Sequence, residues 1–348
     1  MPERPRRRLN LISSREVLVS GAPFIHDHRT TARSAWLVSF MLLPILLWET
    51  LLSGWGTLGA AAASISVALA ADLLQSGLRR RFELDDGSAF LTGLLIALAL
   101  PLKPPLYAPI AASAFAILVI KGAFGGLGNN WMNPALGGVA FAWLNWGPSL
   151  AASQGSTPAS LPLAFVSTLP SLVSGFDDRV TGLLNTLLFQ PLGASLPSGY
   201  VASMLGVESN GTIGLPVGLA LAASAALIGF RVIRWQIPAA MFLFFIAPFW
   251  AFGGLASSGL FSGDVLGQTL AGSFLLVAFF MATDPVTSPS RTGQMIIFGA
   301  GCGLIAFLFV EFGAPAFAPL FGVLFMNALM PFIEGIRWPR AKLGEGKE

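Results

Sequence analysis

Residues 87–105 read GSAFLTGLLIALALPLKPP, and residues 272–289 read GSFLLVAFFMATDPVTSP. Each stretch opens on Gly-Ser, runs through apolar residues and stops at a proline, Pro101 or Pro285, with another proline four positions on at Pro105 or Pro289. The run before Pro101 makes roughly 20 Å of helix at ~1.5 Å per residue, against a bilayer core of ~30 Å. A helix that short ends inside the membrane. The extended link after it leaves backbone groups that only protein, ligand or water can satisfy at that depth. Two such breaks predict an all-α integral membrane protein whose broken helices near Pro101 and Pro285 mark a central cavity or a tight helix–helix seam.

The rest of the chain fits that frame. Of its 348 residues, 54% are hydrophobic and 11% charged, with a mean hydropathy of +0.73. A soluble domain carries roughly a quarter charged residues, so most of this surface faces something other than water. Apolar segments fall at about 34–53, 57–75, 88–100, 106–121, 132–148, 212–230, 237–254, 268–283, 293–312 and 316–334. They divide the chain into an N-terminal tail (1–33), a five-helix unit (34–148), a linker (149–211), a second five-helix unit (212–334) and a C-terminal tail (335–348). The Ser-, Gly- and Pro-rich linker holds a short apolar piece, Leu161 to Val173, expected to be a re-entrant or surface helix.

Basic residues cluster between the spans. Arg4, Arg6, Arg7, Arg8, Arg15, Arg29 and Arg33 precede the first; Arg79, Arg80 and Arg81 follow the second; Arg231 and Arg234 follow the sixth. Arg291 follows the eighth, and Arg337, Arg340 and Lys342 follow the last. With about ten spans, all of these share the cytoplasmic side with both termini, leaving Lys103 and Arg179 outside. This is the charge pattern of membrane orientation, so a sequence pI near 9.4 points to no nucleic acid. No cleavable signal peptide is expected: Met1 to Asn10 is mostly polar and basic, but the first long apolar run starts only near Ala32 and ends without a small-residue cleavage site.

The two halves echo each other beyond the prolines: Met132-Asn133-Pro134-Ala135-Leu136 resembles Met326-Asn327-Ala328-Leu329. With Pro101 outside and Pro285 inside, the halves are five-helix repeats of opposite orientation. Asn133 and Asn327 then lie near one level, as caps or interhelical glue for freed backbone groups.

Chemistry-bearing residues are few. Lys121 opens a Gly-rich segment running to Asn130, which lacks the Gly-Lys-Ser/Thr of a P-loop; Lys121 reads as a snorkelling lysine, with a phosphate contact as the alternative. Around the second break, Thr283, Asp284 and Thr287 gather hydroxyls and an acid; Asp284 is a candidate site residue, or else caps the turn or pairs with Arg291. His26 and His28 lack further ligands at metal spacing, and no catalytic triad or paired-carboxylate motif is present. A single cysteine, Cys302, excludes an intrachain disulfide and an iron–sulfur cluster held by this chain alone.

Asp86-Gly87-Ser88, Leu91-Thr92-Gly93, Pro101, Lys121 through Asn130, Asn133-Pro134-Ala135 and Ala282 through Pro289 resemble the RnfD/NqrB family. RnfD is a membrane component of Rnf-type electron transport complexes, and NqrB is its homologue in sodium-translocating NADH:quinone oxidoreductases. The likeness runs from Pro23-Phe24-Ile25-His26 to Phe325-Met326-Asn327-Ala328 and Pro331. It implies a ten-helix inverted-repeat fold in the bacterial inner membrane, among other membrane subunits of a complex that couples ferredoxin or NADH oxidation to sodium or proton movement. It also implies FMN, joined by a phosphoester to a threonine that ends a Ser/Thr-Gly-Ala-Thr motif in the central outer segment.

At that motif the chain departs from the family. Asp178-Arg179-Val180-Thr181-Gly182 follows the approach, but Leu183 and Leu184 come next, and Leu184 has no hydroxyl to esterify. Near Gly211-Thr212-Ile213-Gly214, Leu215 replaces the family's acid. Covalent FMN is therefore not expected at position 184, with Thr181 or Thr186 as shifted acceptors; a noncovalent FMN or riboflavin remains compatible. The resemblance places Thr181, Lys121, Asn133, Thr283, Asp284 and Thr287 as flavin- or cavity-lining residues. The expected role is a subunit of an ion-translocating electron-transfer complex; the alternatives are a channel built on the inverted-repeat cavity, or a structural subunit holding flavin-bearing partners.

Overall fold

The computed structural model describes residues 30–79, 84–126, 128–154, 164–189, 204–205, 216–253, 268–269, 272–313 and 318–335. Residues 1–29 and 336–348 of the two tails, and residues 211–215, lie outside these. Among the described residues every regular element is helical. The first half comprises α1 (Thr31–Ser53), α2 (Trp55–Arg79), α3 (Ser88–Ala99), α4 (Tyr107–Phe115, continued as a π-helix over Ala116–Lys121) and α5 (Pro134–Gln154). Then come α6 (Ala164–Leu184, with a π turn over Asn185–Phe189), α7 (Val217–Gly229), α8 (Gln236–Phe252) and α9 (Gly272–Leu276, with a π turn over Val277–Met281). The remaining helices are α10 (Thr292–Glu311), α11 (Ala318–Ala328) and α12 (Met330–Gly335). Three of them, α1, α2 and α10, are long and apolar enough to cross a membrane; α3, α4, α7, α8 and α11 are shorter apolar helices.

Local chemistry sets these boundaries. Gly54 (φ 89°) reverses the chain between α1 and α2, its N–H donating to the Thr50 carbonyl at 2.8 Å, a left-handed cap that a Cβ disfavours. At Gly87 (φ 69°) the Trp36 ring also fills the space a Cβ needs, while Asp86 Oδ1 accepts from the Ser88 N–H at 2.7 Å and starts α3. α3 runs only 12 residues, and Leu100 turns extended (ψ 161°) ahead of Pro101. α5 begins on Pro134, where a missing N–H costs nothing. It bends at Trp146 (φ −130°, ψ 26°), two residues before Pro148, and continues to Gln154, beyond the expected end.

The linker helix runs further than expected. Residues 164–173 of its apolar piece open a 21-residue helix, α6, which carries Asp178 through Leu184 in helical conformation. Val173, Asp177 and Thr181, spaced four apart, form its buried stripe. The charged and glycine residues after Val173 disguise the helix in the sequence; Gly175, Asp178, Arg179 and Gly182 lie on its exposed face, while Asp177 turns inward.

α1 packs on α2 and α3, α2 on α3 and α4, and α5 on α3 and α4; in the second half α8 packs on α10, α10 on α11, and α7 on α9. The halves meet through α1–α7 and α5–α11. A Cβ on Gly299 or Gly303 of α10 would strike the carbonyl oxygens of Ile237 and Met241 on α8. This close approach, small residues four apart, is how membrane helices gain packing without a hydrophobic driving force. Leu42, Leu94, Leu136, Phe245 and Phe298 share one buried core, whereas Leu78, Leu144 and Phe312 stand 77%, 72% and 85% exposed. Large apolar side chains exposed on so many helices suit lipid, not water.

Candidate functional site

Two buried polar clusters gather residues that the sequence singles out. The first is the seam where the start of α5 meets the turn after α9. Asn133 caps α5, its Oδ1 accepting from the Ala135 and Leu136 N–H groups at 2.9 and 3.3 Å. Its Nδ2 donates to the Met281 carbonyl at 3.0 Å, an acceptor at the end of a π turn. Asn327, with its amide set to match its neighbours, donates to the Thr287 carbonyl at 3.1 Å and accepts from the Asn133 N–H at 3.3 Å. Two asparagines thus tie the second break to the start of α5, as the sequence anticipates.

The turn itself is held from within. Thr283 Oγ1 donates to the Phe279 carbonyl at 2.5 Å, and Thr287 Oγ1 to Asp284 Oδ2 at 3.1 Å. Asp284 therefore caps its own turn; its side-chain partner is Thr287, not Arg291, which sits extended at the start of α10 (φ −95°, ψ 138°). Arg234 reaches in to donate to the Pro289 carbonyl at 3.1 Å. Two buried atoms beside the seam, Asn130 Oδ1 and Ser288 Oγ, have no hydrogen-bond partner. Buried polar atoms without partners are uncommon, and here they leave one acceptor and one hydroxyl available to a ligand or water.

The second cluster corrects the reading of Lys121. Its side chain does not snorkel: it is 2% exposed, and Nζ donates to Asp72 Oδ1 at 2.7 Å and Ser88 Oγ at 2.8 Å, with Asp86 Oδ2 3.9 Å away. A snorkelling lysine keeps its head in water; this one has an acid and a hydroxyl within the protein. Gln75 and Arg79, on the same side of α2 as Asp72, bind the carbonyls next to it. Gln75 Nε2 donates to Ile117 and Leu118 at 2.9 and 3.0 Å, and Arg79 bonds the Gly122 carbonyl. These bonds satisfy acceptors where the π-helix departs from ordinary helical pairing.

Asn133, Thr283, Asp284 and Thr287 thus converge on the seam, while Lys121 belongs to the α2–α3–α4 cluster. Thr181 lies elsewhere, buried on α6; Leu184 is half-buried at that helix's end, and Thr186 is exposed with its hydroxyl donated to the Gly182 carbonyl at 2.8 Å. Sequence reasoning missed Asp72, Gln75 and Glu49. The signal was available for the two acids, each standing in an otherwise uncharged run.

Residues 18–342 match the model of the NQR2, RnfD, RnfE family. The chain is 33% identical over 335 residues to a component of the ion-translocating oxidoreductase complex of Marinobacter nauticus, covering 92% of this chain and 93% of that one. It is 31% identical to a component of the proton-translocating ferredoxin:NAD(+) oxidoreductase complex of Clostridium ljungdahlii, over 92% and 94% of the two chains. Likeness to an ion-translocating oxidoreductase component of Shewanella sediminis is 29%, over 93% and 97%. With nearly its whole length matched, this multi-helix membrane chain belongs to the NQR2, RnfD, RnfE family.

Proposed function

We propose that the chain is a membrane subunit of an Rnf/Nqr-like electron-transfer complex that moves sodium ions or protons across the bacterial inner membrane. The observation that carries this is the family match across residues 18–342, together with relatives whose names describe components of ion-translocating oxidoreductases. In this reading the chain's partners are the other membrane subunits and the surrounding lipid, not nucleic acid. Both termini are cytoplasmic, and about ten crossing or half-crossing helices form two inverted five-helix repeats. Supporting the repeat, the second helix of each half packs on the fourth, the fourth on the fifth and the first on the third, and each third helix stops before a proline.

The family implies a flavin, and the seam suits a noncovalent one, FMN or riboflavin. The unpartnered Asn130 Oδ1 can accept from a ring N–H, and the Ser288 hydroxyl can donate to a ring carbonyl, with Asn133, Thr283, Asp284 and Thr287 shaping the surroundings. When bound, a flavin supplies one- or two-electron chemistry; the chain contributes position and shelter from water. Position 184 does not fit a phosphoester, because leucine offers no oxygen. That loss also favours a second reading, in which this subunit chiefly holds flavin-bearing partners.

Membrane vesicles decide the function. Vesicles from cells lacking this chain should lose ion uptake driven by electron transfer, and re-expression should restore it. Unchanged uptake in the deletion strain means that the chain serves something else.

A further inference from the structure

Glu49 is 3% exposed, and its Oε1 is buried with no hydrogen-bond partner. It lies on the face of α1 that carries Leu42, Ile45, Leu46 and Ser53, all buried, so the carboxyl points into the helix assembly. Its depth follows from two contacts. Trp36, near the start of α1, meets the Phe90 ring at a 31° tilt and donates to the Asp85 carbonyl at 3.2 Å, which sets the start of α3 beside the start of α1. At the other end, Thr57 Oγ1 donates to the Leu102 carbonyl at 3.0 Å, setting the break after α3 beside the first turn of α2. Glu49, four residues before the end of α1, lies within about a helical turn of that level.

We propose that Glu49 is a proton-binding carboxyl of the ion-translocating machinery, placed where the interrupted helix α3 ends. Charge balance carries the argument. Among the described residues no salt bridge reaches Glu49, and an ionised carboxylate buried in the membrane without a partner is strongly disfavoured. Among the described residues, the elements packed against α1 offer it no charge: α3, α7 and residues 204–205, where the Leu205 carbonyl accepts from Trp48, hold no titratable side chain. Asp72 and Arg79 lie near the opposite end of α2, with Asp85 and Asp86 beside the start of α3. Lys103, in the break, makes no ion pair with Glu49. The neutral acid, with its proton on the carboxyl, is the form this site accepts. A metal cation fits poorly, since sodium needs several oxygen ligands. On the same face Leu42, Ile45 and Leu46 offer only hydrocarbon and Ser53 a single hydroxyl, fewer oxygens than a sodium shell requires.

The inference rests on the ion-translocating role proposed above, and its first test does not depend on that role. Infrared spectra of the full-length chain in detergent should show the carbonyl band of a protonated carboxylic acid, lost in Glu49→Gln and unchanged by sodium chloride. No difference between the two proteins overturns the proposal; loss of the band on adding sodium replaces the proton with a metal ion and overturns it as well. The functional arm uses the same variant in vesicles of the assembled complex. Uptake should fall roughly tenfold or more, and uptake equal to wild type removes Glu49 from the path. The infrared result stands whichever way the vesicle result falls.

Discussion

Leu184 ends α6 half-buried, with Leu183 exposed beside it and Thr186 two residues on, in a π turn. A phosphoester needs a side-chain oxygen at a position an attaching enzyme can reach. Leucine lacks the oxygen, Thr181 is buried, and the Thr186 hydroxyl is engaged with Gly182. On a denaturing gel the wild-type band should therefore stay dark under ultraviolet light when a flavin transferase is co-expressed. Leu183→Ala combined with Leu184→Thr should acquire covalent FMN at position 184, read by fluorescence and mass spectrometry. A fluorescent wild-type band with FMN mapped to Thr181 or Thr186 defeats the expectation. Residue-scale legibility was uneven for physical reasons. Asn133 and Asn327 were readable because freed backbone near a break calls for amides. The partner of Lys121 was not, because Asp72 lies 49 positions earlier and only the packing of α2 on α4 brings them together.

At the scale of elements, the proline breaks, the Gly-Ser starts and the long apolar runs were legible, since each is a local property of the chain. The three π segments among the described residues were not. No residue type marks an inserted helical position; what sustains one at Ala116–Lys121 is the neighbouring α2, whose Asp72, Gln75 and Arg79 bind Lys121, Ile117, Leu118 and Gly122. That dependence is measurable. Lys121→Met leaves Asp72 buried without its cation, and removing one partner of a buried pair costs about 3–5 kcal/mol. Replacing both, Lys121→Met with Asp72→Asn, removes the stranded charge and should recover much of the loss. Cys302, the single cysteine and fully buried, supplies the readout: a thiol-reactive dye reports unfolding during heating in detergent. The single variant should melt well below wild type and the double between them. A double variant no better than the single one means that the pair is not what holds this turn.

For the whole molecule, the decisive question is whether the two breaks open toward opposite sides of the membrane. In the topology proposed above the break after α3 faces outside and the turn after α9 inside, and an orientation wrong in one half would carry Arg231 and Arg234 to the outer face, against the positive-inside rule. Leu106, just after the first break, is 55% exposed, and Ser290, just after the second, is exposed too, so either accepts a reporter without disturbing the core. Cys302 is buried in α10 and stays silent in folded protein, though Cys302→Ala removes any doubt about background. In intact cells, a membrane-impermeant maleimide should label Leu106→Cys and spare Ser290→Cys. In inverted vesicles the preference should reverse. Labelling of both positions from one side would place the two breaks on the same face, and the halves would then be related by an axis along the membrane normal rather than one lying in its plane. The seam held by Asn133 and Asn327 would survive such a result, because its hydrogen bonds are internal to the protein. What would not survive is a barrier built from two half-helices entering from opposite faces, the arrangement that lets one central site exchange with each side in turn.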